Sequence, residues 1–280
     1  MFMLASRAKS HYHRTMNEME PRITGTEMEW AVMVQQEKNE DFIQPEAMTA
    51  QRIINARDPS LYMSDIGYML SNGGRLYVDV GSHPEYATPE DPAFMGTVAN
   101  EIAGENIMYD AMVAAKTSGM FHDFILNKRV VDDELHTWGY HASFCCDALK
   151  IQIDRKNLAP LGPHLATHNI YTGAGSVVKK LDGRAEYALA QKVLNLNTDF
   201  AQSSHSTDQP LISLREEALA DRMRFSRVHI TSMDANMSPW ATWMKLGTTS
   251  VVLRMMELGY LKDDIRFEDD TYQVAIDVAY

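Results

Sequence analysis

The segment NGGRLYVDVGSHPEYATPE, Asn72 to Glu90, restricts the fold more than any other part of the chain. Successive side chains of a strand point to opposite faces, so Arg75, Tyr77 and Asp79 fall on one side and Leu76 and Val78 on the other. Leucine and valine gain by leaving water, whereas an arginine and a carboxylate lose. The pattern therefore asks for a sheet with one face sealed by apolar packing and one face open. Beyond Asp79 the chain runs into a Gly-Ser-His-Pro-Glu turn, in which Pro84 fixes the backbone and Glu85 follows. His83 in that turn admits a capping or hydrogen-bonding role. By pattern alone, Arg75 and Asp79 read equally well as an ion pair on a solvated sheet or as part of a site.

A second period-two stretch, RITGTEMEWAVMV from Arg22 to Val34, puts Glu27 and Glu29 on one face together with Gly25. Acidic residues on an edge strand are most often merely solvated. Here Met28, Trp30 and Val32 argue that the strand is covered on one side, and two carboxylates in a concavity repel unless a cation lies between them. Hard oxygen ligands at this spacing suit magnesium. Together with Tyr77, Asp79 and Glu85, the pair suggests a site for a metal-bound nucleotide.

The remaining pattern is mixed. MTAQRIINA reads as a helix-prone piece of a surface connection, ending before the turn-like RDPS. FMGTVANEIAGENIMYDAMVAAKTSG, from Phe94 to Gly119, spaces Val98, Ile102, Met108, Met112 and Ala115 for one face of a helix with a glycine stop. MFHDFILNK and HTWGYHASFCCDAL read as two strands of a hairpin across the charged turn RVVDDEL. A helical stretch from about Leu158 to Tyr171 gives way to TGAGS, after which RAEYALAQKVLNL reads as extended or mixed. FSRVHITSMDA reads as a strand and WATWMKLGTTSVVLRMMELG as a long apolar helix closing at Gly259, its methionines in the core. The tail from Lys262 is acidic. Strands joined by hairpins with occasional long helices, without strict alternation, give an α+β domain with a mainly antiparallel sheet. A dinucleotide fingerprint and a Walker loop are both lacking.

Lone residues offer further candidates. His141 and His229 lie in strand-like segments, where a histidine is more often a satisfied core residue. Arg215 in ISLREEA is suited to clamp a phosphate bidentately, or to pair with Glu216 or Glu217. Gly173 and Gly175 of TGAGS fit a plain turn or a close approach of backbone to phosphate. The net charge of −12 argues against a nucleic-acid partner. Cys145 and Cys146 are adjacent, point to opposite faces of a strand, and read as reduced core thiols. The opening MFMLASRAKSHYHR is too short in its apolar part for a signal-peptide core, so residues 1–21 are expected to be a flexible extension and the protein cytoplasmic, with no membrane partner. At 280 residues the chain suffices for one large domain.

The stretches GTEMEW, NGGRLYVDVGSHPEYATPE, RVHITSMDANMS and MKLGTTSVVLRMMELG occur here in the order in which similar stretches occur in a known family. The chain resembles, over most of Arg22 to Gly259, the family that unites the Pup-protein ligase (proteasome accessory factor A) with the deamidase of Pup. The resemblance implies a glutamine-synthetase-like carboxylate-amine ligase fold, a curved and mainly antiparallel sheet with helices packed on its outer face, spanning residues 22–280 and incomplete on its C-terminal side. It implies ATP and Mg2+ as cofactors, and a Pup-like modifier and lysine-bearing target proteins as partners. In the implied reaction, ATP phosphorylates the side chain of the C-terminal glutamate of the modifier, and a target lysine displaces the phosphate to give an isopeptide bond. By motif, Glu27, Glu29, Tyr77 and Glu85 would hold the metal and its nucleotide. His141 and His229 would be further metal or phosphate contacts, Arg215 would lie near the phosphates, and Asp79 would be the catalytic base.

The short interval from Glu29 to Asn72 and the wording DVGSHPEYAT follow the ligase branch, while GTEMEW and KLGTTSVV read more like the deamidase. The chain departs from the family at His141 to Ser143, His-Ala-Ser in place of His-Glu-Asn, and again in SLREEA and RVHITSMD. These departures keep open a deamidase, a small-molecule carboxylate-amine ligase, and a non-catalytic Pup-binding relative.

Overall fold

The structure, a computed structural model, describes residues 22–57, 67–132, 136–179, 183–202, 207–215, 220–261, 267 and 270–280. The N-terminal extension, the last three residues of the RVVDDEL turn, most of RDPS, Glu216 and Glu217, and residues 262–266 and 268–269 of the acidic tail lie outside the described residues.

Twelve strands are described: β1 (Thr24–Glu29), β2 (Ala31–Gln35), β3 (Tyr68–Met69), β4 (Arg75–Asp79), β5 (His83–Ala87), β6 (Asp123–Asn127), β7 (Tyr140–Asp147), β8 (Ser176–Lys179), β9 (Ala185–Ala188), β10 (Thr198–Ala201), β11 (Pro210–Ser213) and β12 (Phe225–Ile230). Eight of them form one sheet in the order β10-β11-β12-β7-β1-β5-β4-β3. Its pairs are antiparallel except β10 with β11. β2 pairs with β6, and β8 with β9, in separate two-stranded ribbons. This is the mainly antiparallel α+β architecture that the patterning asks for.

Alternation decides which face is covered. Thr24, Thr26 and Met28 of β1, Leu76 of β4, Tyr86 of β5, Tyr140, Ala142, Phe144 and Cys146 of β7, and Val228 and Ile230 of β12 are all buried. Two helices, Phe94–Thr117 and Pro239–Glu257, pack over that face. The contact is close enough that a Cβ at Gly104 would sit 2.2 Å from the Tyr86 ring, so only glycine fits there. Gly25, Glu27 and Glu29, with Arg75, Tyr77 and Asp79, are left on the opposite face, as their period requires. None of the described helices is long and apolar enough to cross a membrane.

Several expectations need correction. Arg22 to Val34 is two strands, because the chain leaves the large sheet at Trp30 and continues as β2 against β6. Accordingly β6 and β7 do not form a hairpin: β7 pairs with β1 on one side and β12 on the other. A strand with four buried side chains on one face is a central strand, and its two ladders leave no edge for β6. Glu85 is not in the turn but within β5, paired with Tyr77, while the turn is Val80–Ser82, with φ of +84° at Gly81 and +67° at Ser82. The stretch 155–172 breaks into short helical pieces, Arg155–Leu158, Ala159–Leu161, Gly162–Thr167 and Asn169–Thr172, with Pro160 and Pro163 in the opening positions of the second and third, where a missing N–H is tolerated. Ile102, expected in the core, is 38% exposed. Cys146 is buried but Cys145 only half-buried; both are free. The long helix closes before Gly259 (φ +70°) as expected, but its buried side is Thr242, Lys245, Leu246, Thr249, Ser250 and Leu253, with Met255 exposed.

Candidate active site

The open face of the sheet collects its functional side chains in rows set by strand register. One row runs Tyr77, Glu85, Glu29, since Tyr77 is opposite Glu85 on β5 and Glu85 is opposite Glu29 on β1. Asp79 pairs with His83 one step along β4 and β5. On the other side Glu27 is opposite His141 of β7, and Ser143 is opposite both Gly25 of β1 and His229 of β12. Residues far apart in sequence are thereby held on one wall by backbone ladders rather than by loops.

Two clusters result. Glu29, Asp79 and Glu85 bring one carboxylate oxygen each to within 4.8 Å of one another, and Glu27, His141 and His229 do the same with one ligand atom each. In the first cluster Glu85 is 4% exposed. Its pKa is pushed well up, by burial first and then by the negative charges of Glu27, Glu29 and Asp79. Tyr77 hydrogen-bonds Glu85, and its own pKa is raised by burial and by the charges of Glu85 and Glu27. The guanidinium carbon of Arg75 lies 4.0 Å from the centre of the Tyr77 ring, so Arg75 is a cation over an aromatic face. Glu29 is held on the ionised side. Burial opposes this, but a 2.6 Å hydrogen bond with His83 Nδ1, the charge of His83 and the Gly139 backbone N–H outweigh it.

The second cluster has a positive surround. Burial alone would raise the pKa of Glu27, but the hydrogen bond from His141 and the charges of His229, His141 and Arg227 bring it down to about 2. His229 is lowered to about 3, chiefly by burial and then by the neighbouring His141, with Arg227 and Arg215 acting in the same direction. The His141 and His229 rings meet edge-on at 5.1 Å. One end of the wall is thus acidic, and the other carries histidines backed by arginines.

This donor set fits a divalent cation. Three carboxylates within reach of one another in a largely buried wall repel, which is the strain seen at Glu85, and oxygen ligands of this kind match magnesium. The second cluster, with two imidazoles, offers mixed nitrogen and oxygen donors.

The sheet gathers Glu27, Glu29, Tyr77, Asp79, Glu85, His141 and His229 on one face. Arg215 lies just beyond β11, two residues after Ser213, which is itself opposite His229. Three neighbours escaped the sequence reading as site residues: His83 bonded to Glu29, Arg227 beside Glu27, and Ser143, whose Oγ lies 3.1 Å from His229 Nδ1. Each stands two residues from a residue already singled out (Glu85, His229 and His141), so the period-two rule was the signal that would have found them. In the His-Ala-Ser departure, Ala142 points to the helix-covered face with no exposure at all, whereas Ser143 is on the site face.

The chain is similar to known proteins in sequence and fold. The family model of the Pup-ligase protein matches residues 22–277. A Pup-protein ligase of Acidimicrobium ferrooxidans is 34% identical over 206 residues, which is 71% of this chain and 44% of the relative. One from Nakamurella multipartita is 36% identical over 204 residues, with the same two shares. Among solved structures, the Pup ligase PafA in complex with the prokaryotic ubiquitin-like protein Pup superposes with a TM-score of 0.78 at 25% identity, over 92% of this chain and 51% of that one. The Pup ligase PafA with ADP gives 0.62 at 25% identity, over 88% and 53%. The chain therefore spans about half the length of the relatives it matches.

Proposed function

This chain belongs to the Pup-ligase protein family, and from that premise we propose that it is an ATP-dependent carboxylate-amine ligase. It would phosphorylate the C-terminal glutamate side chain of a Pup-like protein and join it to a target lysine. The observation that carries the reading is the convergence of Glu27, Glu29, Tyr77, Asp79, Glu85, His141 and His229 on one sheet face, acidic at one end and backed by arginines at the other.

Phosphoryl transfer asks for alignment and charge neutralisation more than for covalent help. In this reading Glu27, Glu29, Tyr77 and Glu85 would hold Mg2+, which when bound would neutralise the charge of a nucleotide triphosphate. Arg215 would face the phosphates and steady charge as it moves to the leaving ADP, with His141 and His229 as further metal or phosphate contacts. Transfer of the γ-phosphoryl group to a glutamate carboxylate oxygen leaves an acyl phosphate and ADP. The lysine amine then attacks the acyl carbon, and inorganic phosphate departs with the bonding pair.

A lysine is protonated near neutral pH and cannot attack until it loses a proton. Asp79 suits the base. It stands at the end of β4 as a member of the carboxylate cluster that is only half-buried, where Glu85 is sealed in. Its carboxylate takes the proton as the carbon–nitrogen bond forms. A cytoplasmic location belongs to the same proposal, since ATP, Mg2+ and folded lysine-bearing targets meet there.

The test uses this chain with ATP, Mg2+, a Pup-like peptide ending in glutamate and a lysine-bearing acceptor, with the isopeptide product read by mass spectrometry. Asp79→Asn is expected to lower product formation by about 10²-fold or more, a usual range for a lost general base, while nucleotide binding persists. Absence of isopeptide with the unsubstituted chain, or an undiminished rate in Asp79→Asn, would overturn the assignment.

A further inference from the structure

We infer that Ser143 is a positioning residue: its hydroxyl accepts the Nδ1–H of His229 and so presents the Nε2 lone pair of that ring as a cation ligand beside Glu27. This rests on the proposed cation site, and deepens it by assigning a role at a position where the chain departs from its family's wording.

The geometry starts from register. Ser143 and His229 are directly opposite on β7 and β12, so their side chains leave the sheet on the same face and side by side. The Ser143 Oγ lies 3.1 Å from His229 Nδ1. Glu27 and His141 are opposite each other on β1 and β7, and their ligand atoms lie within 4.8 Å of that of His229. The hydrogen bond at Nδ1 fixes the ring about its last torsion, which an imidazole otherwise explores broadly.

A neutral imidazole carries one N–H and one lone pair, and the hydrogen bond made by one nitrogen sets the role of the other. An N–H in a nearly buried setting needs an acceptor more than a lone pair needs a donor. His229 is 7% exposed, and among the described residues the hydrogen bond of its ring is the one to Ser143 at Nδ1. In this assignment the serine oxygen takes the Nδ1–H, and Nε2 is left as a donor atom for a cation. The opposite tautomer would turn an Nε2–H outward and make His229 a hydrogen-bond donor to phosphate. Ser143 thus decides between two chemistries at one ring. A hydroxyl on a strand facing its partner is short and stiff enough to do this, and threonine keeps the same Oγ.

Long-range proton–nitrogen correlation spectra of the full chain with ¹⁵N-histidine, free of metal, read the tautomer directly. The unsubstituted protein is expected to show His229 as the Nδ1–H form, Ser143→Ala to show loss of that preference, and Ser143→Thr to restore it. Titration with Mn2+ alone, followed by paramagnetic broadening of the His141 and His229 ring signals, is expected to need about 10- to 100-fold more metal in Ser143→Ala, the usual effect of removing a ligand's orienting partner. Ser143→Thr should again restore it. An Nε2–H form in the unsubstituted protein, a Ser143→Ala spectrum with the tautomer unchanged, or a broadening midpoint moved by less than about 3-fold would overturn the inference. If Mn2+ broadens neither ring in the unsubstituted protein, His229 is not a cation ligand and the inference falls with it. The ligase assignment, read by isopeptide product, is decided separately.

Discussion

Lys245 makes a prediction whose size follows from its surroundings. The side chain is fully buried in the helix Pro239–Glu257. Its ammonium donates to the backbone carbonyl of Asp234 and lies 3.9 Å from the centre of the Tyr140 ring. Burial lowers its pKa from 10.5 to about 8, against the pull of Glu101 and Asp234. Below the folded value both folded and unfolded chains hold the proton; between the two values only the unfolded chain does. The unfolded state then binds more protons, so stability rises with pH across that window. At about 1.4 kcal/mol per tenfold change in proton affinity, the rise amounts to about 3 kcal/mol. Lys245→Met keeps the aliphatic volume and removes the titration. Urea unfolding of both proteins at intervals between about pH 7 and about pH 10.5 reads the effect as a difference, in which shared contributions such as that of Lys192 cancel. The unsubstituted protein should gain about 3 kcal/mol on the variant across the window. A difference constant to within about 0.5 kcal/mol would refute the reasoning, because it would mean that this ammonium loses no more by burial than its partners return.

Two further predictions concern the acidic wall and its support. Glu85→Gln removes a carboxyl whose ionisation burial and the charges of Glu27, Glu29 and Asp79 oppose, so in metal-free solution the variant should be at least as stable, by up to about 1 kcal/mol. Millimolar Mg2+ should raise the melting temperature of the unsubstituted protein and have a much smaller effect on the variant; equal rises in differential scanning calorimetry would contradict the cation assignment of this cluster. Asp234 is 1% exposed and its carboxylate accepts the backbone N–H groups of Ala174, Gln191 and Lys192. Asp234→Ala strands those donors and should cost about 3 kcal/mol or more, at about 1 to 3 kcal/mol for each buried orphan. A loss below about 1 kcal/mol in chemical denaturation would show that water replaces the carboxylate there.

What the sequence made legible was whatever lives on a single strand. Period two is a local property, so Glu27 with Glu29, and Tyr77 with Asp79, were assignable to shared faces without knowing their neighbours. Pairing is not local. MFHDFILNK and HTWGYHASFCCDAL look like a hairpin because they are successive, yet β7 is committed to β1 and β12, and β6 finds its partner in β2. The convergence of Glu29, Asp79 and Glu85 depends on β5 lying between β1 and β4, which alternation alone does not specify. Combining the two patterns, and then the resemblance to a family, pointed to one site for both acidic strands, but neither supplied the order of the strands between them.

The long closing helix shows why hydrophobicity misdirects near such a sheet. Its methionines suggested the core, but the buried positions Thr242, Lys245, Leu246, Thr249, Ser250 and Leu253 recur at helical spacing through a largely polar seam. The reason lies under the seam. Tyr140 donates to Glu101 at 2.8 Å, Glu101 also takes bonds from Thr26 and Thr242, and the Asp234 carbonyl takes one from Lys245. A sheet whose underside carries a phenol and a threonine, next to a buried carbonyl of the segment after β12, must be covered by groups that satisfy them, because each buried polar atom left alone costs more than a buried methyl returns. Two of these strands carry the site on their other side, since Tyr140 precedes His141 and Thr26 precedes Glu27, while Asp234 lies in the segment that leaves β12 after His229 and Ile230. Fixing the underside by directional hydrogen bonds therefore fixes the height and tilt of the strands that present Glu27, His141 and His229. A purely apolar seam would hold them with less angular definition.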